Sequence, residues 1–299
     1  MHAGSKPSLK PVNRRTDQYG LALCADPARE PCFVIAKRDS EMASFEEKMS
    51  EPARRERLHR HMNNEIGSIE IAAQAIVDFP DAPWELRMQL ARQTFDECRH
   101  VEGLYRRLRE LGGRKGEFPI NNFEWAVTNT QDTLAARLAL QNRTFEAGQM
   151  DLLGSLRQQW RDAGDHDTAD LLEIILADEV NHVRYANRWI KKLIKNDGRL
   201  LLKIAVAIRF LATANQIVNM AEGADAADEK LTYVEMGVNV DDRRSAEFTD
   251  DEINVIALAA RYHRKGLPKS SHDEFGKLTR DRQHDVELIA GILRIAAGL

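Results

Sequence analysis

Two segments, Asp96-Glu97-Cys98-Arg99-His100 and Asp178-Glu179-Val180-Asn181-His182, share the pattern D-E-x-x-H. Each lies inside a run of helical periodicity. Residues three apart share a helix face, so each segment sets a carboxylate beside an imidazole. That donor mixture suits iron or manganese better than metals that favour thiolates. Two such helices, each joined by a glutamate from a further helix, supply the ligands of a dinuclear site between four helices. Glu65 and Glu146 fit that role. The expected metal ligands are therefore Glu65, Glu97, His100, Glu146, Glu179 and His182. They carry four negative charges when the imidazoles are neutral, and two divalent ions balance them, as a buried site requires.

Spacing supports the choice. Glu97 follows Glu65 by 32 positions, and Glu179 follows Glu146 by 33. A turn at Phe79-Pro80-Asp81-Ala82-Pro83 leaves Glu65 and Glu97 each about 21 Å from the bend, at 1.5 Å per residue. A turn near Ala163-Gly164-Asp165 levels Glu146 and Glu179 within roughly one helical turn. Asp96 and Asp178 are expected to accept the free N–H of the ligand histidines, on the same or the facing helix. A third Glu-x-x-His, Glu56 to His59, has no preceding Asp and no partner at the right depth, and reads as a solvated helix start. Glu70 competes with Glu65. It lies about 140° around the helix, toward the edge of the apolar stripe, which suits a surface role.

Long helices must position these residues. The periodicity predicts helices over about Arg54–Asp78, Pro83–Leu111, Thr130–Ala163 and Thr168–Lys195, and a fifth, largely apolar, over Arg199–Ala221. Between the second and third, residues 112–130 form a long connection. About 18 residues at roughly 3.3 Å each can run back along the bundle. The expected fold class is all-α: a four-helix bundle with one long crossover over residues 54–198. An N-terminal arm, 1–53, precedes it, and a helical extension, 199–299, packs on it. The arm has a strand candidate at Cys32-Phe33-Val34-Ile35. Residues 222–248 read as irregular. Thr249-Asp250-Asp251-Glu252 and Ser271-His272-Asp273-Glu274 fit capping boxes that begin further helices.

Composition sets limits. The 299 residues are 43% hydrophobic and 30% charged, with a net charge of −4. Acids and bases are interspersed, without the basic stripe of a nucleic-acid binder. No stretch is long and apolar enough to span a membrane; the most apolar run, Leu200 to Ala212, is broken by Lys203 and Arg209. The N-terminal residues hold no apolar run to act as a secretion signal. The three cysteines, Cys24, Cys32 and Cys98, have no metal-binding spacing, so a reducing cytoplasm is the expected location.

Over about residues 55–195 the chain resembles the ferritin-like superfamily of non-haem diiron carboxylate proteins. Asn64-Glu65-Ile66-Gly67-Ser68-Ile69 resembles the first ligand segment of bacterioferritins, and the two D-E-x-x-H segments resemble theirs. Phe145-Glu146 falls where the third-helix glutamate stands. A bacterial ferritin-like family of unknown function is closer still, through Phe79-Pro80-Asp81-Ala82-Pro83 and Gly116-Glu117-Phe118-Pro119, and into Asn239-Val240-Asp241-Asp242-Arg243-Arg244. Its pattern implies histidines where this chain has Asn63 and Asn121.

The resemblance implies two iron ions, or iron with manganese, and O2 as co-substrate. It implies an oxidase or oxygenase that acts on a small organic substrate; a ferroxidase or iron store is the alternative. The partners expected are that substrate, an electron donor such as a reductase or ferredoxin, and a second copy of the chain as a homodimer, with neither nucleic acid nor membrane. Asn121, Phe123 and Trp125 of the crossover are the candidate substrate-pocket residues, with Phe95, Phe145 and Met150 as further lining. Tyr105 and Tyr185 stand near the ligand histidines, where core packing competes with a radical or proton role.

Overall fold

The computed structural model describes residues 14–16, 20–37, 41–43, 49–221, 258, 262, 268–284, 286, 287 and 290. Among them helices dominate. The strands are β1, Arg14–Thr16, and β2, Ala22–Cys24, which pair antiparallel with Arg15 opposite Leu23. Helix α1, Glu51–Asp78, begins three residues before the expected start because the Ser50 hydroxyl caps it, accepting from Ala53 N at 3.3 Å. Pro52 tolerates the first turn, where its missing N–H costs nothing. Helix α2, Trp84–Glu110, runs back along α1 after the Phe79–Pro83 turn.

The third long segment is not one uniform helix. Helix α4, Leu134–Leu140, begins at Thr133, whose hydroxyl accepts from Ala136 N at 3.3 Å. It then widens into a π-helical turn, Gln141–Glu146, and resumes as α5, Ala147–Asp162. Thr144 Oγ1 donates to the Ala139 carbonyl at 2.9 Å within the widened stretch. Helix α6, His166–Asn196, is capped by Asp165, which accepts from Thr168 N at 3.0 Å. Helix α7, Arg199–Ala221, packs against α4 and α6. The expected capping box at Ser271 is one residue early: α8, Asp273–Gly276, has His272 at its cap, with no side-chain capping bond. The box at Thr249 and the stretch 222–248 lie outside the described residues. No helix among the described residues is long and apolar enough to cross a membrane.

Two apolar layers bracket a polar one. Leu58, Met62, Leu104, Leu108, Trp160, Leu172 and Ile175 form one layer. Ala72, Ala75, Leu86, Leu90, Leu138, Ala186 and Trp189 contribute to the other. On α1, α2 and α6 the polar residues come between the two sets in sequence, and Gln141 to Glu146 do so on the third segment. The polar side chains thus sit at one depth, sealed at both ends.

The crossover carries a short helix, α3, Phe123–Thr128. The strand candidate at Cys32–Ile35 becomes a single parallel bridge between Ile35 and Ile120. This contact between arm and crossover overturns one expectation. Glu56 and His59 are not solvated: they are 6% and 0% exposed. The His59 ring lies 5.8 Å from both Phe33 and Phe118, and its Nε2 accepts from Gly116 N at 2.9 Å. The covering residues are remote in sequence, so a local reading saw only a charged helix start.

Gly116 sits at φ 69°, and a Cβ there would fall 2.0 Å from the Cys32 carbonyl oxygen. Gly116→Ala therefore combines a left-handed backbone with an overlap against backbone. The conformation alone costs on the order of 1–3 kcal/mol. The variant should show a lower urea midpoint and faster proteolysis of residues 20–37. An unchanged midpoint would refute this account of how the arm is held.

Candidate metal centre

Glu65, Glu97, His100, Glu146, Glu179 and His182 are each no more than 2% exposed. They converge as two groups of four: Glu65, Glu97, His100 and Glu179; and Glu97, Glu146, Glu179 and His182. Within each group, one donor atom per residue lies within 4.8 Å of all the others. Glu97 and Glu179 belong to both. Glu97 Oε2 is 2.8 Å from His100 Nδ1, and its Oε1 is 3.4 Å from His182 Nδ1. Glu179 does the same, with Oε1 3.7 Å from His100 Nδ1 and Oε2 3.4 Å from His182 Nδ1. Each of these carboxylates turns one oxygen to each half. Glu65 Oε2, 3.4 Å from His100 Nδ1, belongs to one half alone, and Glu146 to the other.

Both imidazoles present Nδ1 inward because Nε2 is held from behind. His100 Nε2 lies 3.2 Å from Asp178 Oδ2, and His182 Nε2 lies 3.4 Å from Asp96 Oδ2. The aspartates therefore serve the facing helix in a reciprocal cross. Arg99 ties the two together, at 2.7 Å from Asp96 and 2.8 Å from Asp178. An imidazole whose outer N–H is fixed on a carboxylate is oriented as a metal ligand.

Both oxygens of Glu179 and Nδ1 of His182 are buried with no hydrogen bond. Buried polar atoms are ordinarily paired. Orphaned lone pairs facing each other among carboxylates are what a bound cation would satisfy. The residues present fit a metal pair of hard or borderline character. In the ion-free chain, protons take that place. Burial pulls the His100 imidazole down, but its bonds to Glu65 and Glu97 outweigh this and push it up to about 11. Burial, then Glu179 and Glu65, push the Glu97 carboxyl well above the usual range; burial, then Glu146 and Glu65, do the same for Glu179. Burial also raises Glu65, yet the hydrogen bond from His100 and the closeness of His61 reverse it and hold Glu65 well below that range.

The profile of the family described as Protein of unknown function (DUF455) matches residues 10–254. The chain belongs to that family. A Haemophilus influenzae protein named only "Uncharacterized protein" is 28% identical over 177 residues, covering 56% of this chain and 60% of that relative. The match thus spans less than two thirds of the relative's length. No solved structure matches the chain. The DUF455 match takes in most of the arm, the crossover, α7 and every element that carries a donor.

Several site residues of this DUF455 chain escaped the sequence reading. His61 Nε2 lies 2.7 Å from Glu65 Oε1. Gln93, Gln141 and Asn142 all donate to Glu146, and Tyr185, already a candidate from the sequence, is buried and donates from its hydroxyl to Gln93. Glu124 is the crossover residue that senses the centre: burial, then the Glu65 and Glu146 carboxylates, push its carboxyl up to about 8. The positions where the resemblance implies histidines meet in space, since Asn63 Nδ2 donates to the Asn121 carbonyl at 2.9 Å.

The other candidates are placed as follows. The Asn121 side chain accepts from Phe123 N at 2.6 Å, which opens α3. Phe123 is half-buried against the arm–α7 core. Trp125 donates from Nε1 to the Ala25 carbonyl at 2.9 Å and lines a groove of about 440 Å³ with Glu70 and Val77, on the outer side of α1. Glu70 is not the free surface residue expected: its half-buried carboxylate pairs with the buried Arg29 of the arm and is not among the six donors. Phe145 is buried, and Met150 half-buried. Phe95, 61% exposed, is no lining residue: it stands two positions before Glu97, on the opposite side of α2. Tyr105 is half-buried beneath Lys115.

Proposed function

We propose that this chain folds as a ferritin-like four-helix bundle with one long crossover, binds two iron ions or one iron and one manganese, and uses O2 to oxidise a small organic substrate. The observation that carries this reading is the pair of four-donor groups sharing Glu97 and Glu179. Two such ions would supply O2 reduction at a buried site. The protein's own part is to fix the donors. Glu65 and His100 would help to hold one ion and Glu146 and His182 the other, with Glu97 and Glu179 available to both. Asp178 and Asp96 aim the imidazoles, and the apolar layers exclude water from both ends. Glu124 and the crossover flank the side where Glu65 and Glu146 stand. Electrons come from a separate donor protein, and a homodimer is the proposed assembly.

The test is anaerobic loading with Fe(II), metal analysis after desalting, then O2 with and without a metabolite extract. The expected result is about two ions per chain, as the shared donors require, with extract-dependent O2 uptake and a product gaining oxygen or losing hydrogen. No retained metal would refute the dinuclear reading. Retained metal in a hollow shell of many copies, with uptake set by Fe(II) alone, would replace the oxygenase reading with iron storage.

A further inference from the structure

The two halves of the centre have different surroundings. Around Glu65 and His100 the donors engage one another. His100 Nδ1 bonds Glu97 at 2.8 Å and Glu65 at 3.4 Å, and His61 Nε2 stands 2.7 Å from the other Glu65 oxygen without a well-aligned hydrogen bond. Around Glu146 and His182 the histidine nitrogen is free of hydrogen bonds, and the glutamate is held by neutral amides instead. Gln93 Nε2 donates to Glu146 Oε1 and, at 3.2 Å, to Glu97 Oε1. Asn142 Nδ2 donates to Glu146 Oε2 at 2.8 Å. Gln141 Nε2, anchored on Ser68 Oγ at 3.0 Å, lies 3.4 Å from Glu146 Oε1.

The orientation of Gln93 is determined. Its Oε1 receives both the Tyr185 hydroxyl and Asn142 Nδ2, the latter at 3.0 Å. Its amide N–H groups must then face the carboxylates. A carboxylate oxygen has two lone pairs, so Glu146 Oε2, which accepts from Asn142, keeps one for a metal while the amides on Oε1 fix the group. The side chain is thereby placed before any ion arrives, and its ordering entropy no longer opposes binding. In the other half, an ion must first break the Glu97–His100 hydrogen bond.

We propose that Gln93, Asn142 and Tyr185 are positioning residues that preorganise the Glu146–His182 half, so that the ions load in order. The first binds Glu97, Glu146, Glu179 and His182; the second binds Glu65, Glu97, His100 and Glu179. This rests on the dinuclear reading above. Ordered loading gives the chain a means of holding two different metals, since the rigid half selects the first ion and the adaptable half accepts the second.

Anaerobic titration of the full chain with Mn(II), followed by calorimetry and by electron paramagnetic resonance, tests it. Wild type should bind in two phases, tight then weak. Glu146→Ala should lose the tight phase and Glu65→Ala the weak one. Tyr185→Phe removes one hydroxyl and Gln93→Met removes the amide. Each should weaken the tight phase by roughly tenfold to a hundredfold, as lost outer-shell support does, and should broaden the first ion's spectrum. Thermal unfolding of each variant confirms that it is folded, and Tyr185→Phe serves if Gln93→Met is not. Two ions with indistinguishable affinities, loss of the tight phase in Glu65→Ala, or an unchanged first spectrum in Tyr185→Phe would overturn ordered loading and leave the dinuclear reading standing. Fewer than two ions in wild type would overturn both.

Discussion

Glu97→Ala should take the chain from about two bound ions to nearly none, the outcome expected when a ligand shared by both sites is removed. Glu179→Ala should do the same. Both carboxylates place one oxygen toward His100 and the other toward His182. Removing either strips a donor from both halves at once and takes away negative charge that would offset the repulsion between two cations. Glu146→Ala should instead leave about one ion at saturating metal, because Glu146 serves one half only. Glu70→Ala should lose none, since Glu70 is taken by Arg29. Metal analysis on desalted protein gives all four values in one experiment. If Glu70→Ala lost ions while Glu65→Ala kept both, the donor set on α1 would be wrong.

The ion-free protein should lose stability as pH rises from about 5, and bound metal should restore it. The raised carboxyls of Glu97 and Glu179 are acids in the folded ion-free state but ionise at ordinary values when unfolded. Their stabilisation is complete below the unfolded value of about 4.3 and fades above it. His100, raised to about 11, stabilises fully below its unfolded value near 6.5 and loses that contribution as pH climbs through about 11. Glu65 works the other way: held low by His100 and His61, it loses its contribution as acid is added. Stability of the ion-free chain should therefore peak in mild acid, the slope above that following the protons the folded state retains. Ions displace those protons. The gap in melting temperature between loaded and ion-free protein should widen from pH 5 to pH 8, and loading at pH 7 should release protons into a weak buffer. A gap that stays constant over that range would refute the protonated cluster.

The helical segments that carry the cluster, and the six side chains that converge in it, were legible in the sequence from local spacing and matched depth. The D-E-x-x-H spacing put Glu97 and His100 on one face, and equal distances from two turns levelled the glutamates. Which aspartate served which histidine was not legible; that depends on how α2 and α6 face each other. Gln93 and Asn142 were invisible for another reason. An amide on an apolar stripe looks like any tolerated polar residue until its partner, Glu146, is known to be buried beside it. His61 and Glu124 gave no pattern of their own, since one depends on a helical turn to Glu65 and the other on where the crossover lands. The π turn also carries no residue signature, because Gln141 to Glu146 would read as ordinary helix.

That turn has a consequence for how relatives of this chain are compared. A π turn accommodates one residue more than an α-helix of the same rise. A related chain lacking one residue between positions 141 and 146 would close the stretch into ordinary α-helix and keep everything beyond it facing the buried layer. A chain that kept the residue but formed unbroken α-helix would instead turn everything beyond it by about 100°, and a glutamate at the position of Glu146 would point away from that layer. Relatives that can build the second half of the centre are therefore distinguished by a glutamate that follows either the widened turn or a one-residue gap, and not by the glutamate alone.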